Sequence, residues 1–459
     1  MWRGNSRERE GEAVSCRLAV DKRRASHYRN VAGAIRLNMR EEDQMFIGHF
    51  TEQPWQDDKS GLMGQVTIDL EVSNQLYDPE QGHKLYNRYI DEKIYAEEMG
   101  FDGLMLNEHH STPFCMQGVT NVCASILARV TKKAKIVILG NVLPLWDDPL
   151  WLAEHLAMID LVSGGRLVPG WVRGTGRESI SHNIPPVYNW ERYQEAHDFI
   201  IKTWTTPGPF RWEGKHFNYR YVNPWCRPYQ QPHPPIWIPG TASRDTVKWT
   251  AEHRYPYIML ATQLEPTKQS FGYYHQCAEE TGYKAGSQNL GYLFKVHVDE
   301  TEELAEEVGR KFLGGVSNPF ITGNEGGVRP WIQGLPGLNP RKPGTTLPTL
   351  TVLPRGRGGR GRAPFEEQVK NYSIITGTPD TIVQKIRYIL EYLRPGSIIL
   401  WDGDGAMSHE DQMRSLRLMG QEVLPALREI GEELELYGPY EVDPATGKRI
   451  PQPAAPARK

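Results

Sequence analysis

The chain has 459 residues, a length that suits two or three average domains or one barrel with insertions. Its 53 basic and 56 acidic residues give a formal net charge of -3, which excludes the strong positive field that general binding to nucleic acid or to an anionic membrane requires. No apolar run is long enough to span a membrane, and the first thirty residues lack the apolar stretch of a secretory signal. We therefore expect a cytoplasmic protein that binds neither nucleic acid nor membrane.

The two ends of the chain differ in composition from the middle. Residues 1–42 are rich in Arg, Glu and Ser without a sustained period, and we predict a disordered N-terminal extension, or an upstream start that precedes a true initiator at Met39 or Met45. Residues 43–437 are predicted to form one folded domain, and residues 438–459 to form a disordered C-terminal tail. The five cysteines are scattered without C-x-x-C spacing, which argues against a disulfide framework and a thiolate zinc site.

Short apolar runs alternate with helical patterns from residue 45 onwards. This alternation is typical of parallel α/β folds, and eight strands each followed by a helix are what a closed (β/α)₈ TIM barrel requires, although an open doubly wound sheet alternates in the same way. The predicted strands are Met45–Phe50, Gly103–Leu106, Ile136–Pro144, Arg166–Val172, Pro235–Pro239, Tyr257–Ala261, Leu290–Val298 and Ser397–Trp401. The predicted helices are Leu85–Met99, Val119–Val130, Leu150–Val162, Asn189–Thr203, Ser243–His253, Glu302–Leu313, Pro379–Leu393 and Ser408–Leu436.

Two stretches interrupt the alternation. Residues 205–235 are rich in proline and aromatic residues and predict a short hairpin followed by an extended crossing. Residues 315–369 predict a long insertion before the last β/α unit, in which Trp331–Asn339 is a candidate lid and the Arg/Gly tract 355–362 is mobile. An Arg/Gly tract can bind RNA, but a solvated insertion is the better interpretation of eight such residues within a loop.

The densest group of reactive side chains is Asn107-Glu108-His109-His110, directly after the second predicted strand. In a barrel, residues at the carboxyl end of a strand point into the mouth of the active site. Histidine can donate or accept a proton near neutral pH, and a neighbouring carboxylate can fix its tautomer. Adjacent histidines lack the i, i+4 spacing of two metal ligands on one helical face, so we predict proton chemistry and no metal. Two histidines that merely end a strand are the structural alternative.

A candidate phosphate site follows the fifth predicted strand. Gly240, Thr241 and Ser243 precede a helix that also carries Thr246 in its first turn, and backbone N–H groups at a helix N-terminus bind anions. Ser243 acting only as a helix cap explains the same sequence equally well.

Two other strand ends carry candidate cofactor contacts. Arg173, at the end of the fourth strand, can meet a phosphate or a flavin carbonyl through charge-assisted hydrogen bonds. The glycines around it form an incomplete dinucleotide fingerprint with no helix starting immediately, so we discount that motif. Gly140 and Asn141 at the end of the third strand suit a close approach of the backbone to a flat ring, although an ordinary strand exit explains them as often.

These features together resemble the bacterial-luciferase-like family of flavin-dependent oxidoreductases. The resemblance lies in stretches that follow the family's order over roughly residues 45–430, namely EEMGFDGLMLNEHH (97–110), ILGNVLPLWDDPLWLAEHLAMIDLVSGGRLVPGWVRG (138–174), RWEGKHFN (211–218), PIWIPGTASRDTVKWTAEH (235–253), GTPDTIVQKI and SHEDQMRSLRLMGQEVLPAL (408–427). The resemblance implies a (β/α)₈ barrel, usually a homodimer or larger, that binds FMN at the carboxyl ends of its strands.

The resemblance also implies roles for individual residues. His109 resembles the histidine beside the reacting edge of the flavin, with Glu108 and His110 next to it. Arg173, Ser243 and Thr246 resemble the residues that hold the FMN phosphate. The segment of Leu139, Gly140 and Asn141 resembles the one, often with a non-proline cis peptide, that lies against the isoalloxazine ring.

The chemistry that the resemblance implies is monooxygenation. Reduced FMN, delivered by a separate flavin reductase, reacts with O₂ to give a C4a-peroxide that oxygenates a small apolar organic substrate, while the protein excludes water and stabilises the peroxide. Val172 stands where luciferases carry a cysteine, which puts light emission in doubt but not oxygenation. Similar proteins that bind the deazaflavin F420 and transfer hydride without oxygen are the alternative, although they more often carry an Asp-His pair where this chain has Glu108-His109-His110.

Overall fold

The computed structural model describes residues 45–57, 74–174, 176–260, 263–313 and 364–439. The predicted N-terminal extension, the candidate lid Trp331–Asn339, the Arg/Gly tract and the tail from residue 440 onwards lie outside these residues.

Eleven strands occur in the described residues, and eight of them form a closed parallel barrel. Along the sheet the order of these eight is β4-β3-β2-β1-β11-β9-β8-β7, and every neighbouring pair is parallel. The strands are β1 (Phe46–Phe50), β2 (Gly103–Leu106), β3 (Lys135–Val142), β4 (Leu167–Val172), β5 (Phe210–Glu213), β6 (Asn218–Val222), β7 (Ile238–Gly240), β8 (Tyr257–Leu260), β9 (Leu290–Val298), β10 (Ile374–Gly377) and β11 (Ser397–Trp401).

The barrel closes between β4 and the residue before β7. Gly170 and Trp237 form a parallel bridge, in which the Trp237 amide donates to the Pro169 carbonyl at 2.9 Å and the Trp171 amide donates to the Trp237 carbonyl at 3.2 Å. All eight predicted strands are present, and the predicted (β/α)₈ TIM barrel is confirmed. Because parallel strands share one direction, their carboxyl ends lie on one rim.

Helices follow the barrel strands and pack around them. They are α1 (Pro79–Glu98), α2 (Thr120–Val130), α3 (Pro149–Ser163), α4 (Gly176–Ser181), α5 (Asn189–Thr205), α6 (Arg244–Glu252), α7 (Leu264–Glu280), α8 (Glu302–Leu313), α9 (Phe365–Lys370), α10 (Pro379–Leu393), α11 (His409–Leu418) and α12 (Leu424–Glu433). Helix α1 begins six residues earlier than predicted because Asp78 caps it, accepting from the Glu80 amide at 3.0 Å, and Pro79 suits the first helical position.

The strands bury both of their faces, which explains their continuous apolar runs. One set of alternating side chains fills the barrel interior, and it includes Phe46, Met105, Val137, Val168, Trp237, Ile258, Leu293 and Ile399. The side chains between them, such as Ile47, Leu104, Ile136 and Ile398, pack outward against the helices. Trp171 belongs to this outer layer, with its ring centroid 5.5 Å from that of His197. It therefore faces the helices rather than the mouth of the barrel.

Three local predictions need correction. Helix α9 overlaps the end of the predicted insertion, residues 315–369, and strand β10, which pairs with β9, follows just after it; neither element was predicted. A short helix, α4, does begin at Gly176 directly after the fourth barrel strand, against the prediction that none starts there. The predicted last helix is interrupted by a π-helical turn, Met419–Val423, and ends near Glu433.

The other interruption agrees with the sequence. Strands β5 and β6 form an antiparallel hairpin, as predicted for residues 205–235. Within the described residues, no helix combines the length and the apolar character that crossing a membrane demands.

Candidate active site

His109 lies just beyond the carboxyl end of β2 and contacts a carboxylate from another unit of the barrel. Its Nδ1 atom is 2.7 Å from Oε1 of Glu178 on helix α4, which follows β4. On the other side of the ring, Nε2 is 3.8 Å from Oε2 of Glu52, which follows β1. The Phe114 ring packs edge-on at 5.4 Å between centroids. The imidazole is therefore held between two acidic side chains, with about a fifth of its surface exposed.

Glu108 and His110 point away from His109, as the two-residue period of extended chain requires. The Glu108 carboxylate is buried, accepts from the Asn141 amide at 2.8 Å and lies 3.0 Å from His110 Nε2. Asn141 lies at the end of β3, and its Nδ2 also donates to Asn121 at 3.1 Å. Glu108 thus joins the ends of β2 and β3.

Glu108 and His110 line a cavity of about 340 Å³ near the carboxyl ends of β2 and β3, and His109 is not among its lining residues. The cavity is also lined by Asn121 and by His182, whose ring centroid is 4.0 Å from that of His110. The predicted catalytic trio of Glu108, His109 and His110 is consequently contiguous in sequence but divided between two faces of the chain.

Three acidic residues at the rim were not predicted from the sequence, namely Glu178 and two that come soon after barrel strands, Glu52 and Asp404. Glu52 is buried and its Oε2 accepts from the Asn107 amide. Asp404, after β11, is also buried and accepts from the Glu52 backbone N–H at 2.8 Å and from the Thr51 hydroxyl at 2.6 Å. The signal that selected His109, a reactive side chain directly after a barrel strand, is present at both positions and would have found them.

The charges at the rim influence one another. Burial alone would lower the pKa of His109, but the hydrogen bond to Glu178 and the charges of Glu52, Glu178 and Glu108 outweigh it and raise that pKa. Burial raises the pKa of Glu52 to about 7, against the opposing effect of the His109 charge. Burial likewise raises the pKa of Asp404 to about 6, against hydrogen bonds from Thr51 and Trp401. Several groups here therefore titrate near neutral pH.

The end of β4 and the start of α6 lie close together on the same rim. Arg173 follows β4, and its guanidinium carbon is 5.7 Å from the centroid of the Trp190 ring. Burial lowers the pKa of Arg173, while the charge of Asp245 in the first turn of α6 opposes that effect. In the part of the chain that the structure describes, no salt bridge occupies this guanidinium.

The predicted phosphate residues surround the beginning of α6. Ser243 is the N-cap residue but its side chain makes no capping hydrogen bond, so the structure does not support the alternative in which it serves only as a cap. Thr246 lies in the first turn and is partly exposed, Thr241 is exposed, and Gly240 ends β7. These hydroxyl groups and the first amides of α6 offer hydrogen-bond donors beside Arg173.

Gly140 lies at an irregularity in the pairing of β3 with β4. A Cβ atom at this position would lie 2.4 Å from the Gly170 carbonyl oxygen of β4, so a larger residue does not fit. The Leu139–Gly140 peptide is cis, as the resemblance implied. Next to it, Asn141 Oδ1 is buried and has no hydrogen-bond partner among the described residues.

One cluster of potential metal ligands lies elsewhere, on the outer side of the barrel between α5 and α6. The donor atoms of His197, Asp198 and His253 lie within 4.8 Å of one another. Both ring nitrogens of His197 already have partners, Asp198 at 2.8 Å and the Tyr255 hydroxyl at 3.0 Å. The cluster shares no residue with the rim.

The family model for luciferase-like monooxygenases matches residues 77–394, which is more than half of the chain. The match includes β2 to β10 and leaves out the rim residues that belong to β1 and β11 or follow them, namely Thr51, Glu52, Trp401 and Asp404. The chain belongs to the luciferase-like monooxygenase family. The family resemblance inferred from the sequence is therefore confirmed.

Curated relatives in this family include two monooxygenase components. The chain is 28% identical to the alkanal monooxygenase alpha chain of Photorhabdus luminescens over 220 residues, which is 48% of this chain and 60% of the relative. It is 29% identical to the oxygenase component of the flavin-dependent trigonelline monooxygenase of Acinetobacter baylyi over 171 residues, 37% of this chain and 46% of the relative. The aligned regions thus span about half the length of these luciferase-like relatives.

Solved structures of similar fold cover nearly the whole barrel. The oxygenating component of 3,6-diketocamphane monooxygenase from Pseudomonas putida, in complex with FMN, aligns with a TM-score of 0.62 and 17% identity over 83% of this chain and 98% of the other. An F420-dependent secondary alcohol dehydrogenase aligns with a TM-score of 0.56 and 15% identity over 84% and 99%. At these identities the similarity shows a shared fold.

Proposed function

We propose that this luciferase-like protein is an FMN-dependent monooxygenase, which uses O₂ and reduced FMN to oxygenate a small, mainly apolar organic substrate. The observation that carries the proposal is the convergence, on one rim of the barrel, of His109 held between two carboxylates and of Arg173 beside the uncapped start of α6. A titratable imidazole and an anion site on the same face are what a flavin enzyme of this fold needs.

The residues present fit the phosphate of FMN. Arg173 is partly buried and basic, and Ser243 and Thr246 bring hydroxyl groups to the N-terminus of a helix, where the backbone dipole favours an anion. Gly240, at the end of β7, and Thr241 lie in the segment that leads into that helix. Asp245 in the same turn is acidic and favours the charged form of Arg173, which is the form that binds a phosphate.

The residues at the end of β3 fit the flavin ring. Gly140 lets the end of β3 pack directly against the Gly170 carbonyl of β4, and the buried Oδ1 of the adjacent Asn141 offers a hydrogen-bond acceptor that the described protein atoms leave unused. Reduced FMN, when bound, supplies the reaction with oxygen. The protein supplies orientation, exclusion of water, and a proton at His109.

His109 is the proposed catalytic residue of this site. Its Nδ1 is engaged by Glu178, so that Nε2 is the ring nitrogen available for proton exchange with reacting groups. Glu108 and His110, which share the neighbouring cavity, are proposed to support the end of β2 rather than to touch the reacting atoms.

An F420-dependent hydride transfer is the second candidate, and the similar fold of an F420-dependent dehydrogenase supports it. F420 also carries phosphate, so Arg173 and the start of α6 suit either cofactor. FMN is favoured because one relative with aligned sequence is named a flavin-dependent monooxygenase and a monooxygenase of similar fold is in complex with FMN.

We further propose two protein partners. A relative is the oxygenase component of its enzyme, which supports a separate flavin reductase as the source of reduced FMN. A homodimer is supported by an exposed apolar face on the adjacent helices α2 and α3. This apolar face is formed by Val119, Val122, Ile126, Val130, Trp151, Met158, Leu161 and Val162.

The test is cofactor titration followed by turnover. The purified protein is titrated with FMN, reduced FMN and F420, and the preferred flavin is then supplied with a flavin reductase, NADH and O₂ over a panel of aldehydes, ketones, terpenes and N-heteroaromatic compounds. We expect reduced FMN to bind and at least one substrate to gain an oxygen atom. Binding of F420 without FMN, or hydride transfer that proceeds without O₂, would replace this proposal by the second candidate.

A further inference from the structure

Glu52 occupies an unusual position for a charged residue. It lies two residues beyond β1, only 6% exposed, at the rim from which the proposed active site is built. Its Oε2 accepts from Asn107, and the same oxygen is 3.8 Å from Nε2 of His109. An acidic side chain is rarely buried to this extent unless it is paired or has a functional role.

The two carboxylates that face His109 are not equivalent. Glu178 is within hydrogen-bond distance of Nδ1, at 2.7 Å, and so fixes the orientation of the ring. Glu52 faces the other nitrogen at 3.8 Å, which is too long for a hydrogen bond and short enough for a strong charge interaction. A side-chain movement of about 1 Å would bring Glu52 within the distance at which protons transfer.

The charge of Glu52 depends on the groups behind it. Asp404 accepts from the Glu52 backbone N–H, and its negative charge opposes ionisation of the Glu52 carboxyl group. Lys295 of β9, with its ammonium 4.3 Å from the centroid of the Trp401 ring, favours ionisation of both acids. The titratable and charged groups that interact with Glu52 are therefore His109, Cys115, Asp404 and Lys295. Burial keeps the pKa of Glu52 close to that of an ordinary histidine.

We propose that Glu52 is a positioning residue that sets the charge of His109 and exchanges a proton with its Nε2 atom. In that step the O–H bond of the Glu52 carboxyl group breaks and an N–H bond forms on His109, which leaves a carboxylate and an imidazolium without any transfer of electrons. The negative charge of Asp404 disfavours ionisation of Glu52, and so the proton stays on Glu52 until it is transferred to His109. The proposal rests on the proposed function only for the effect of Glu52 on turnover. The pairing of Glu52 with His109 is a property of the protein itself.

The test is the titration of His109 followed by NMR in the full chain labelled with ¹³C-histidine, with the His109 signal assigned from its absence in His109→Gln. We expect Glu52→Gln to lower the pKa of His109 by about one pH unit, since it removes a negative charge close to the ring. Asp404→Asn is expected to move it in the opposite direction, because Glu52 then ionises more readily. Glu213→Gln, on the exposed hairpin, is the matched control and should leave the titration unchanged.

The two variants keep the proposal open to refutation if one of them fails to fold. An unchanged His109 titration in folded Glu52→Gln, or a fall in folded Asp404→Asn equal to that in Glu52→Gln, would overturn it. The fraction of reduced-FMN oxidation that is coupled to formation of oxygenated substrate is then measured against pH, where Glu52→Gln should shift the profile with little change in FMN affinity. A shifted NMR titration in a protein that does not oxygenate any substrate would refute the monooxygenase function and leave the role of Glu52 intact.

Discussion

Nδ1 of His109 lies 2.7 Å from a carboxylate oxygen of Glu178, although 69 positions separate the two residues in the chain. This contact joins the end of β2 to the short helix after β4, and it orients the imidazole so that Nε2 faces Glu52. His109 is thus held by residues from two other units of the barrel.

We expect His109→Ala to retain FMN binding and to lose coupled oxygenation. The side chain holds a proton at the rim, and general acid–base groups contribute about 100-fold or more to rate. Oxidation of reduced FMN should then release H₂O₂ instead of oxygenated product, which a peroxidase-coupled assay measures. His83→Ala, an exposed histidine of α1, is the control. An unchanged product yield in His109→Ala would remove this residue from the mechanism.

We expect Arg173→Ala to weaken binding of FMN by about 10 to 100-fold, the range for a lost hydrogen bond to a charged group. Riboflavin lacks the phosphate, so its affinity should change by less than about threefold, and fluorescence quenching measures both. Arg211→Ala, in the exposed hairpin, is the matched control. Equal losses of affinity for FMN and riboflavin would show that Arg173 does not contact the phosphate.

We expect Lys93→Met to stabilise the protein. The Lys93 ammonium group is fully buried, has no hydrogen-bond partner among the described residues, and burial lowers its pKa to about 8. A side chain of similar volume without charge removes that cost and should raise the free energy of unfolding by about 1 to 3 kcal/mol. Urea denaturation measures the change, and Lys84→Met, whose side chain is 63% exposed, should alter it little. A less stable Lys93→Met would mean that the ammonium group has a favourable role.

His297 should make the stability depend on pH. It is fully buried, with Nδ1 3.3 Å from Asp402 and Nε2 3.4 Å from Asp299, and although burial opposes the charge, these two acids raise its pKa to about 9. A histidine whose pKa is raised by folding stabilises the protein fully below its unfolded pKa of about 6.5 and loses that contribution as pH rises through the folded value.

The difference in free energy of unfolding between wild type and His297→Gln should therefore be largest near pH 6. It should shrink between about pH 6.5 and 9 as the imidazolium loses its proton. Denaturation curves at a series of pH values measure it, with His83→Gln as a variant for which no such trend is expected. A difference that grows with pH would show that His297 is neutral in the folded protein.

We expect Val122→Arg to dissociate the proposed dimer. Val122 is 58% exposed in the centre of the apolar face on α2 and α3, where a buried charge without a partner would oppose association. Sedimentation velocity measures the mass of the particle, and Val187→Arg, an exposed valine outside that face, is the control. A monomeric wild-type protein would contradict the proposed homodimer.

The sequence by itself determined the barrel and pointed to three parts of its rim, namely His109, Arg173 and the start of α6. Eight apolar runs alternate with amphipathic segments because buried parallel strands and surface helices impose different periods on the same chain. His109 and Arg173 were recognised because each follows a strand directly, and this is a local feature. The start of α6 was recognised in the same way, since its serine and threonine residues lie next to the helix that they precede.

Only the tertiary structure decided which of these residues meet. Glu178 reaches His109 because only one strand, β3, separates β2 from β4 in the sheet. Asp404 reaches Glu52 because β11 is the neighbour of β1. The direction of each side chain was also beyond the sequence, since Glu108 and His109 are adjacent residues that turn to different faces. Strand order and side-chain direction arise from the closing of the barrel, which brings together residues far apart along the chain.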